Sequence, residues 1–266
     1  MSRVLFIGYG SNSFSGINNV SFLYDNGEDK MLVDCGATVP LNMHSIISDF
    51  GKINYCFISH SHFDHFLGLP YFIMGRHLDI IANKKKDSAY QAADLNVIVH
   101  PSLKPLIQHL LSVCHPDVKK LSYDINFIDL HDGLSVTAAA FSLLTKQMDH
   151  TVETYGLSIF EGDSKVLSYS SDTLYNDEIL SFLRGSHFLV IEGMVPEAER
   201  DFSITAKHAT FSDAMMVSRQ VQAKHNIIVH LQPRFLNNVD TIEAEFKSLN
   251  NGTQFPKVGV WYELHI

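Results

Sequence analysis

No run of about 20 uniformly apolar residues occurs in this 266-residue chain, so no membrane span is expected. The opening stretch, MSRVLFIGYGSNS, carries one basic residue and a short apolar run but no Ala-x-Ala-type cleavage site. It reads as a first strand and not as a secretory leader. Cysteine is scarce: Cys35, Cys56 and Cys114 are an odd number with no Cys-x-x-Cys pair. That excludes a zinc finger, argues against a disulfide framework and fits a reduced, cytoplasmic chain. Basic runs are nearly missing too. The formal net charge is −9, and the one concentrated basic stretch is NKKKD at 83–87. Proteins that grip a long polyanion draw much of their affinity from basic phosphate contacts, so a large nucleic-acid footprint is not expected. A small phosphate-bearing substrate is not excluded by this. Low-complexity tracts, long linkers and short repeats are also missing, and the chain reads as one domain, 1–266.

What is present begins with apolar material: 45% of residues are hydrophobic, enough for a sizeable core. The runs RVLFIG, VSFLY, KMLVDCG, YCFISH and NVIVHP read as strands bounded by Gly, Asn and Asp. PLNMHSIISDFG and SLKPLIQHLLSVC read as helices, the second with Ser102 as cap. Further strands follow in LSVTAAAF, TYGLSIFEG, KVLSYSSDT and HFLVIEG. The helix TFSDAMMVSRQVQAKH then precedes the strand NIIVHLQP, and the helix DTIEAEFKSLN precedes the strand PKVGVWYELHI. Strands before helices, recurring in two halves, indicate a layered α/β sandwich. The least regular segment is 80–96, which reads as an insertion, a lid or an interface element.

The strongest compositional feature is 15 histidines, and their spacing gives them meaning. FISHSHFDHFLGLP packs His60, His62, Asp64 and His65 into six residues. Residues two apart in an extended segment point the same way, so His60 and His62 can chelate one ion. Asp64 and His65 follow the turn and can address a second. A divalent ion accepts imidazole nitrogen and carboxylate oxygen at about 2 Å. Two ions about 3.5–4 Å apart can clamp the attacking and leaving oxygens of a displacement. Other candidates also end apolar runs: Asp172 after KVLSYSS and His230 after NIIV. Each has a plainer alternative. His150 could be surface decoration, Asp172 the N-cap of the following helix, and His208 a helix-start residue. Glu192 could be an ordinary strand-end carboxylate and Arg234 a surface cation. The remaining histidines (44, 77, 100, 109, 115, 131, 187, 225 and 265) read as structural or exposed. Met215 and Met216 read as core, and Lys84 to Lys86 as a solvated turn.

HSHFDH, His150 in MDHTVETYGLSI, Asp172 in LSYSSDT and His230 in IIVHLQPRF together resemble the metallo-β-lactamase superfamily, and within it ribonuclease Z and its relatives. GYGSNSFSGINNVSF, LVDCG and DHFLGLP extend the likeness over nearly the whole chain. The resemblance implies a four-layer αββα sandwich with a binuclear site at one edge. One ion would be held by His60, His62 and His150, and another by Asp64, His65 and His230, with Asp172 bridging. Zinc is the expected metal, manganese or iron the alternatives, and a hydroxide between the ions would be the nucleophile. It also implies roles for Glu192, His208 and Arg234. His208 outside the metal shell can protonate a leaving alkoxide. Glu192 can orient it, and Arg234 can hold phosphate oxygens.

That set of residues favours phosphodiester hydrolysis; lactone or thiolester hydrolysis does not require it, and an iron-based sensor would leave His208 and Arg234 without a task. Ribonuclease Z typically carries a tRNA-gripping arm between the third histidine and the bridging aspartate. Here 21 residues separate His150 from Asp172, enough for two short strands. The arm-less pattern is similar to cyclic-nucleotide phosphodiesterases, including the anti-Pycsar enzymes that remove cyclic pyrimidine signals. A small phosphodiester is thus the expected substrate, with tRNA 3′-end processing as the alternative. Phe14, Phe63, Phe66 and Tyr71 are candidates to stack a base. The family resemblance also implies a homodimer.

Overall fold

The computed structural model describes residues 2–12, 16–118, 120–249 and 252–264. Its central strands are apolar on both faces. In the first strand Val4 and Phe6 enter one apolar cluster while Leu5 and Ile7 enter another. A strand packed on one side by a second sheet and on the other by helices requires this continuous hydrophobicity, because successive side chains point to opposite faces.

The first half of the chain builds β1 (Arg3–Gly8), β2 (Ser21–Asp25), β3 (Lys30–Val33), β4 (Tyr55–Phe57), β5 (Leu95–Val99) and β6 (Ile125–Asp129). Helices α1 (Val39–Ile46), α2 (Phe63–Phe66), α3 (Leu69–Lys86) and α4 (Leu103–Cys114) lie among them. The second half builds β7 (Ser135–Thr137), β8 (Ser142–Gln147), β9 (Tyr155–Glu161), β10 (Ser164–Tyr169), β11 (Phe188–Glu192), β12 (His225–Val229) and β13 (Thr253–Gln254). Its helices are α5 (Asp177–Leu183), α6 (Arg200–Ala206), α7 (Phe211–Val221) and α8 (Val239–Leu249). β14 (Trp261–Glu263) then returns to pair antiparallel with β1.

Two seven-stranded sheets result, ordered β14-β1-β2-β3-β4-β5-β6 and β13-β12-β11-β10-β9-β8-β7. Each is antiparallel in one half and parallel in the other: β3 to β6 in the first, β10 to β13 in the second. The sheets meet face to face through rings from both. Phe22 of β2 stands edge-on to Tyr169 of β10 at 5.4 Å, and Phe6 of β1 stacks on Phe188 of β11 at 6.4 Å. Helices α1, α3 and α4 cover the outer face of the first sheet through Met43, Ile73 and Ile107. Helices α5, α7 and α8 cover the second through Leu183, Val217 and Phe246. The expected αββα sandwich is what forms.

Several elements differ from the sequence expectation, among them α2, α6 and β13, which it did not name. β6 and β8 add strands where none was anticipated; in β8 Thr145 is buried beside Leu143 while Leu144 is exposed, which blurs the apolar alternation. The 18-residue α3 was also unanticipated. Its inward face carries Arg76 and His77, so its apolar stripe is interrupted. The segment 80–96 is accordingly not irregular throughout. Residues 80–86, including the three lysines expected to be a turn, are the last turns of α3, and 95–96 open β5. Arg76 fastens the region: buried, it donates to the carbonyls of Gly51 (3.2 Å), Ile53 (3.2 Å) and Ala93 (2.6 Å), with its guanidinium 3.9 Å over Tyr123.

The inter-sheet contact gives a stability test. Phe22→Ala should cost about 3–5 kcal/mol in urea unfolding, since a fully buried ring leaves a cavity that two sheets cannot close. A loss below about 1 kcal/mol would contradict this placement.

Candidate active site

The parallel halves of the two sheets deliver their carboxyl-terminal ends to one place. His60 follows β4, Asp172 follows β10, His230 follows β12, and Glu192 is the last residue of β11. His150 precedes β9, and His62, Asp64 and His65 lie at α2. Strand ends on a packed scaffold fix side chains more firmly than free loops do.

The chain reaches these positions through unusual backbone. Asp34, Ser171 and His230, each at or just past a strand end, and Lys207 beside His208 all have positive φ, between 54° and 69°. Non-glycine residues rarely adopt that conformation, and it clusters where surrounding structure over-determines the chain. The ligand loop sits against the β3–α1 turn through His65 O, which accepts from Cys35 N at 2.7 Å, and Cys35 O, which accepts from Gly68 N at 2.9 Å. Glycine is obligatory at Gly36, where a Cβ would lie 2.0 Å from the Asp64 carbonyl oxygen.

The side chains divide into two groups. His60 Nε2 lies 3.2 Å from His62 Nδ1, and His150 Nε2 lies 3.3 Å from the same atom. Asp64 Oδ2 lies 3.2 Å from His230 Nε2 and 3.6 Å from His65 Nε2. Asp172 stands between them: its Oδ2 is 3.1 Å from His230, 3.3 Å from His65, 3.6 Å from His60 and 3.9 Å from His150. All are buried except His62, which is half-buried. The residues fit divalent metal ions on two grounds. Both oxygens of Asp172 and Nε2 of His65 are buried without a hydrogen-bond partner. Nitrogens about 2.0–2.1 Å from a tetrahedral ion must also lie roughly 3.3 Å apart, as the first histidine group does.

Electrostatics agree. Burial holds His60 well below the ordinary histidine range and lowers His62 and His150, which favours the neutral, metal-ligating imidazole. Burial alone would do the same to His230, but Asp172, Asp64 and Glu192 outweigh it and raise His230 to about 10. His65 is likewise pushed well up by Asp172, Asp64 and Asp34 against its burial. Burial would raise Asp64, yet His65 and His230 hold it at about 2. Without cations, protons on His65 and His230 balance the carboxylates.

Around this cluster lies a supporting layer that the sequence reading did not single out. Asp34, within LVDCG, accepts from Ser59 N (2.8 Å), Ser59 Oγ (2.9 Å), Tyr169 OH (2.9 Å) and His65 Nδ1 (2.8 Å). His150 Nδ1 donates to the Lys207 carbonyl at 2.9 Å. Such partners orient ligating imidazoles and set which nitrogen faces the metal. The signal was an acidic residue closing an apolar strand, the same signal that marked Asp172.

His208 and Glu192 are brought together: His208 Nδ1 donates to Glu192 Oε1, and Glu192 Oε2 accepts from Thr173 N at 2.6 Å. Glu192 is fully buried; burial would raise its carboxyl, but His208 keeps it below the usual value, hence ionised. Asp172 does not cap α5, a task performed by Asn176, and His208 does not cap α7, which Thr210 does with Asp213. Asp64, Asp172, His208 and His230 line a cavity of about 550 Å³ with His62, Phe63, Met194 and Asn12. Arg234 does not line it. It pairs with Glu199, half-exposed, in an adjoining cavity. Of the stacking candidates, Phe63 lines the metal cavity, Phe66 is buried under the first sheet, and Tyr71 faces a groove on α3 and α4. Phe14 lies outside the described residues.

Residues 2–254 match the family described as Anti-Pycsar protein Apyc1. The chain belongs to that family. Among curated proteins it is similar to ribonuclease Z of Geobacillus kaustophilus, at 22% identity over 88% of this chain and 89% of the relative. Among solved structures it is similar to short-form human tRNase Z (ELAC1), with a TM-score of 0.79 at 17% identity over the whole of both chains. It is similar also to the metallo-β-lactamase fold protein YhfI of Bacillus subtilis, with a TM-score of 0.78 at 19% identity over 98% of each. With this family comes the enzyme class, a metal-dependent hydrolase acting on phosphodiester bonds. No helix among the described residues is long and apolar enough to cross a membrane.

Metal and protons compete for one set of atoms, which fixes a pH dependence. His230 carries its proton below about 10 and must lose it to ligate. Zinc titrated into metal-free protein at pH 7.5 should therefore release protons, seen as a binding enthalpy that varies with the buffer's ionisation enthalpy, and affinity should rise with pH. Buffer-independent enthalpy would contradict the cluster as described.

Proposed function

We propose that this protein hydrolyses a small phosphodiester, most specifically a cyclic nucleotide, using two divalent ions, zinc foremost. The observation that carries the reading is the His208–Glu192 pair on the wall of the ligand-floored cavity. When bound, the ions would supply Lewis acidity toward the phosphoryl oxygens and an activated water. His60, His62 and His150 would hold one, Asp64, His65 and His230 the other, and Asp172 both. Asp64 orients the attacking water as a hydrogen-bond acceptor and takes the proton it sheds. His208, its Nδ1 committed to Glu192, keeps Nε2 for the leaving oxygen and donates the proton that completes a ribose hydroxyl. Glu192 holds the ring in that orientation and compensates its charge. The product is a phosphomonoester.

Two observations favour a small substrate over tRNA. The interval between His150 and Asp172 is filled by β9 and β10, a hairpin within the second sheet turning at Gly162 and Asp163, with no projecting arm. The net charge of −9 offers a long polyanion little. A homodimer in the cytoplasm completes the reading. Free Cys35, Cys56 and Cys114 suit a reducing compartment, and exposed Tyr71 and Leu67 beside α4 offer an apolar face for a second copy.

The test is a panel of cyclic mononucleotides, bis(p-nitrophenyl) phosphate, a homoserine lactone and a pre-tRNA, given to protein loaded with zinc or manganese. Cyclic nucleotides should be cleaved; turnover of the lactone with every phosphodiester untouched would falsify the reading. His208→Ala should retain its metal and lose roughly 10²–10⁴-fold on cyclic nucleotides, with a far smaller loss on p-nitrophenolate, which leaves without protonation. Equal losses on both would remove His208 from the proton transfer.

A further inference from the structure

Beside the metal cavity lies a second one of about 530 Å³, lined by Asn12, Glu199, Phe202, Gln232, Pro233 and Arg234, with Ser11 at its floor. The two adjoin at Asn12, which lines both. They also share a floor. Leu231 O accepts from Ser11 N at 3.0 Å, and Met194 O accepts from Gln232 N at 3.3 Å, so one strip of chain carries His230 into the first cavity and Gln232 into the second. Only Leu231 separates the two along the chain, a span of at most about 7 Å. A group tethered to a phosphate in the metal cavity by one ribose ring falls within that reach.

The second cavity has the composition of a recognition site and not of a catalytic one. Among the described residues it holds no metal-ligating cluster. Phe202, on α6, leaves 45% of its surface exposed there although it neighbours a tightly packed centre. An aromatic face beside a polar pair is the arrangement by which proteins hold nucleobases. Glu199, partly exposed, offers an acceptor and Arg234, half-exposed, offers donors, so both can meet a base edge without being drawn from deep burial. Helix α6 is itself braced against the catalytic side: His208 N donates to Ser203 O at 2.9 Å, and Ser203 Oγ donates to His208 O at 2.6 Å. Phe202 is thus set at a fixed separation from the proton-donating histidine.

We propose that this adjoining cavity is the nucleobase subsite, with Phe202 as the stacking face and the Glu199–Arg234 pair as its polar wall. The assignment rests on the phosphodiesterase reading for its phosphate end, but binding measurements separate the two. Cytidine 5′-monophosphate and ribose 5-phosphate differ only in the base. In calorimetric titration of the zinc-loaded protein, the nucleotide should bind about ten-fold more tightly. Phe202→Ala should close that gap while leaving ribose 5-phosphate affinity within about two-fold, and Phe202→Tyr should restore it. No gap in the native protein, or a gap that Phe202→Ala leaves open, overturns the subsite. Equal weakening of both ligands overturns it too, since that marks damage to the shared floor. Failure to hydrolyse any cyclic nucleotide, by contrast, sinks the catalytic reading and leaves this comparison intact.

Discussion

Asp172 is a buried carboxylate with no hydrogen-bond donor on either oxygen, enclosed by imidazole nitrogens at 3.1–3.9 Å. A buried charge is costly unless a counter-charge compensates it. Here the compensation is cationic, whether protons on His65 and His230 or divalent ions in their place. Much of the local architecture answers to this constraint. The parallel strand ends bring opposite charges from both sheets together, Asp34, Ser171 and His230 are buried at positive φ, and Gly36 lets the ligand loop close onto the β3–α1 turn. Asp34 extends the same logic outward. It fixes His65 through Nδ1 and is itself satisfied by Ser59 and Tyr169, so the cluster is anchored in the inter-sheet core.

The fold was legible where hydrophobicity was continuous. β1, β4, β5, β11 and β12 are buried on both faces and stand out as short apolar runs. It was illegible where tertiary contacts override the pattern. α3 buries Arg76 because four backbone carbonyls and an aromatic face receive its guanidinium, and no local periodicity announces such partners. β8 places a threonine inward because Thr145 Oγ1 donates to the His131 carbonyl at 2.6 Å.

The site divides in the same way. Its metal-ligating members were legible because chelation imposes tight spacing on His60, His62, Asp64 and His65, and because His60, Asp172 and His230 follow apolar strands. Asp34 carried only half of that signal, a strand end without a neighbouring histidine. Arg234 shows the limit of spacing alone. Four residues past His230 it lies near the centre, yet the turn at Pro233 carries it into the neighbouring cavity, where it meets Glu199. A sequence offset fixes distance along the chain and leaves the direction of the side chain open.

The centre thus combines a cation-demanding cluster, an oriented imidazole and an opening suited to a small ligand. In the proposed reaction water adds to phosphorus while His208 protonates the departing ribose oxygen. The most direct measurement is mass spectrometry of the product formed from a cyclic mononucleotide in ¹⁸O-labelled water by the metal-loaded protein. One ¹⁸O on phosphorus and none on the ribose is the predicted result. Label on the ribose, or a cyclic nucleotide recovered unchanged, would contradict it.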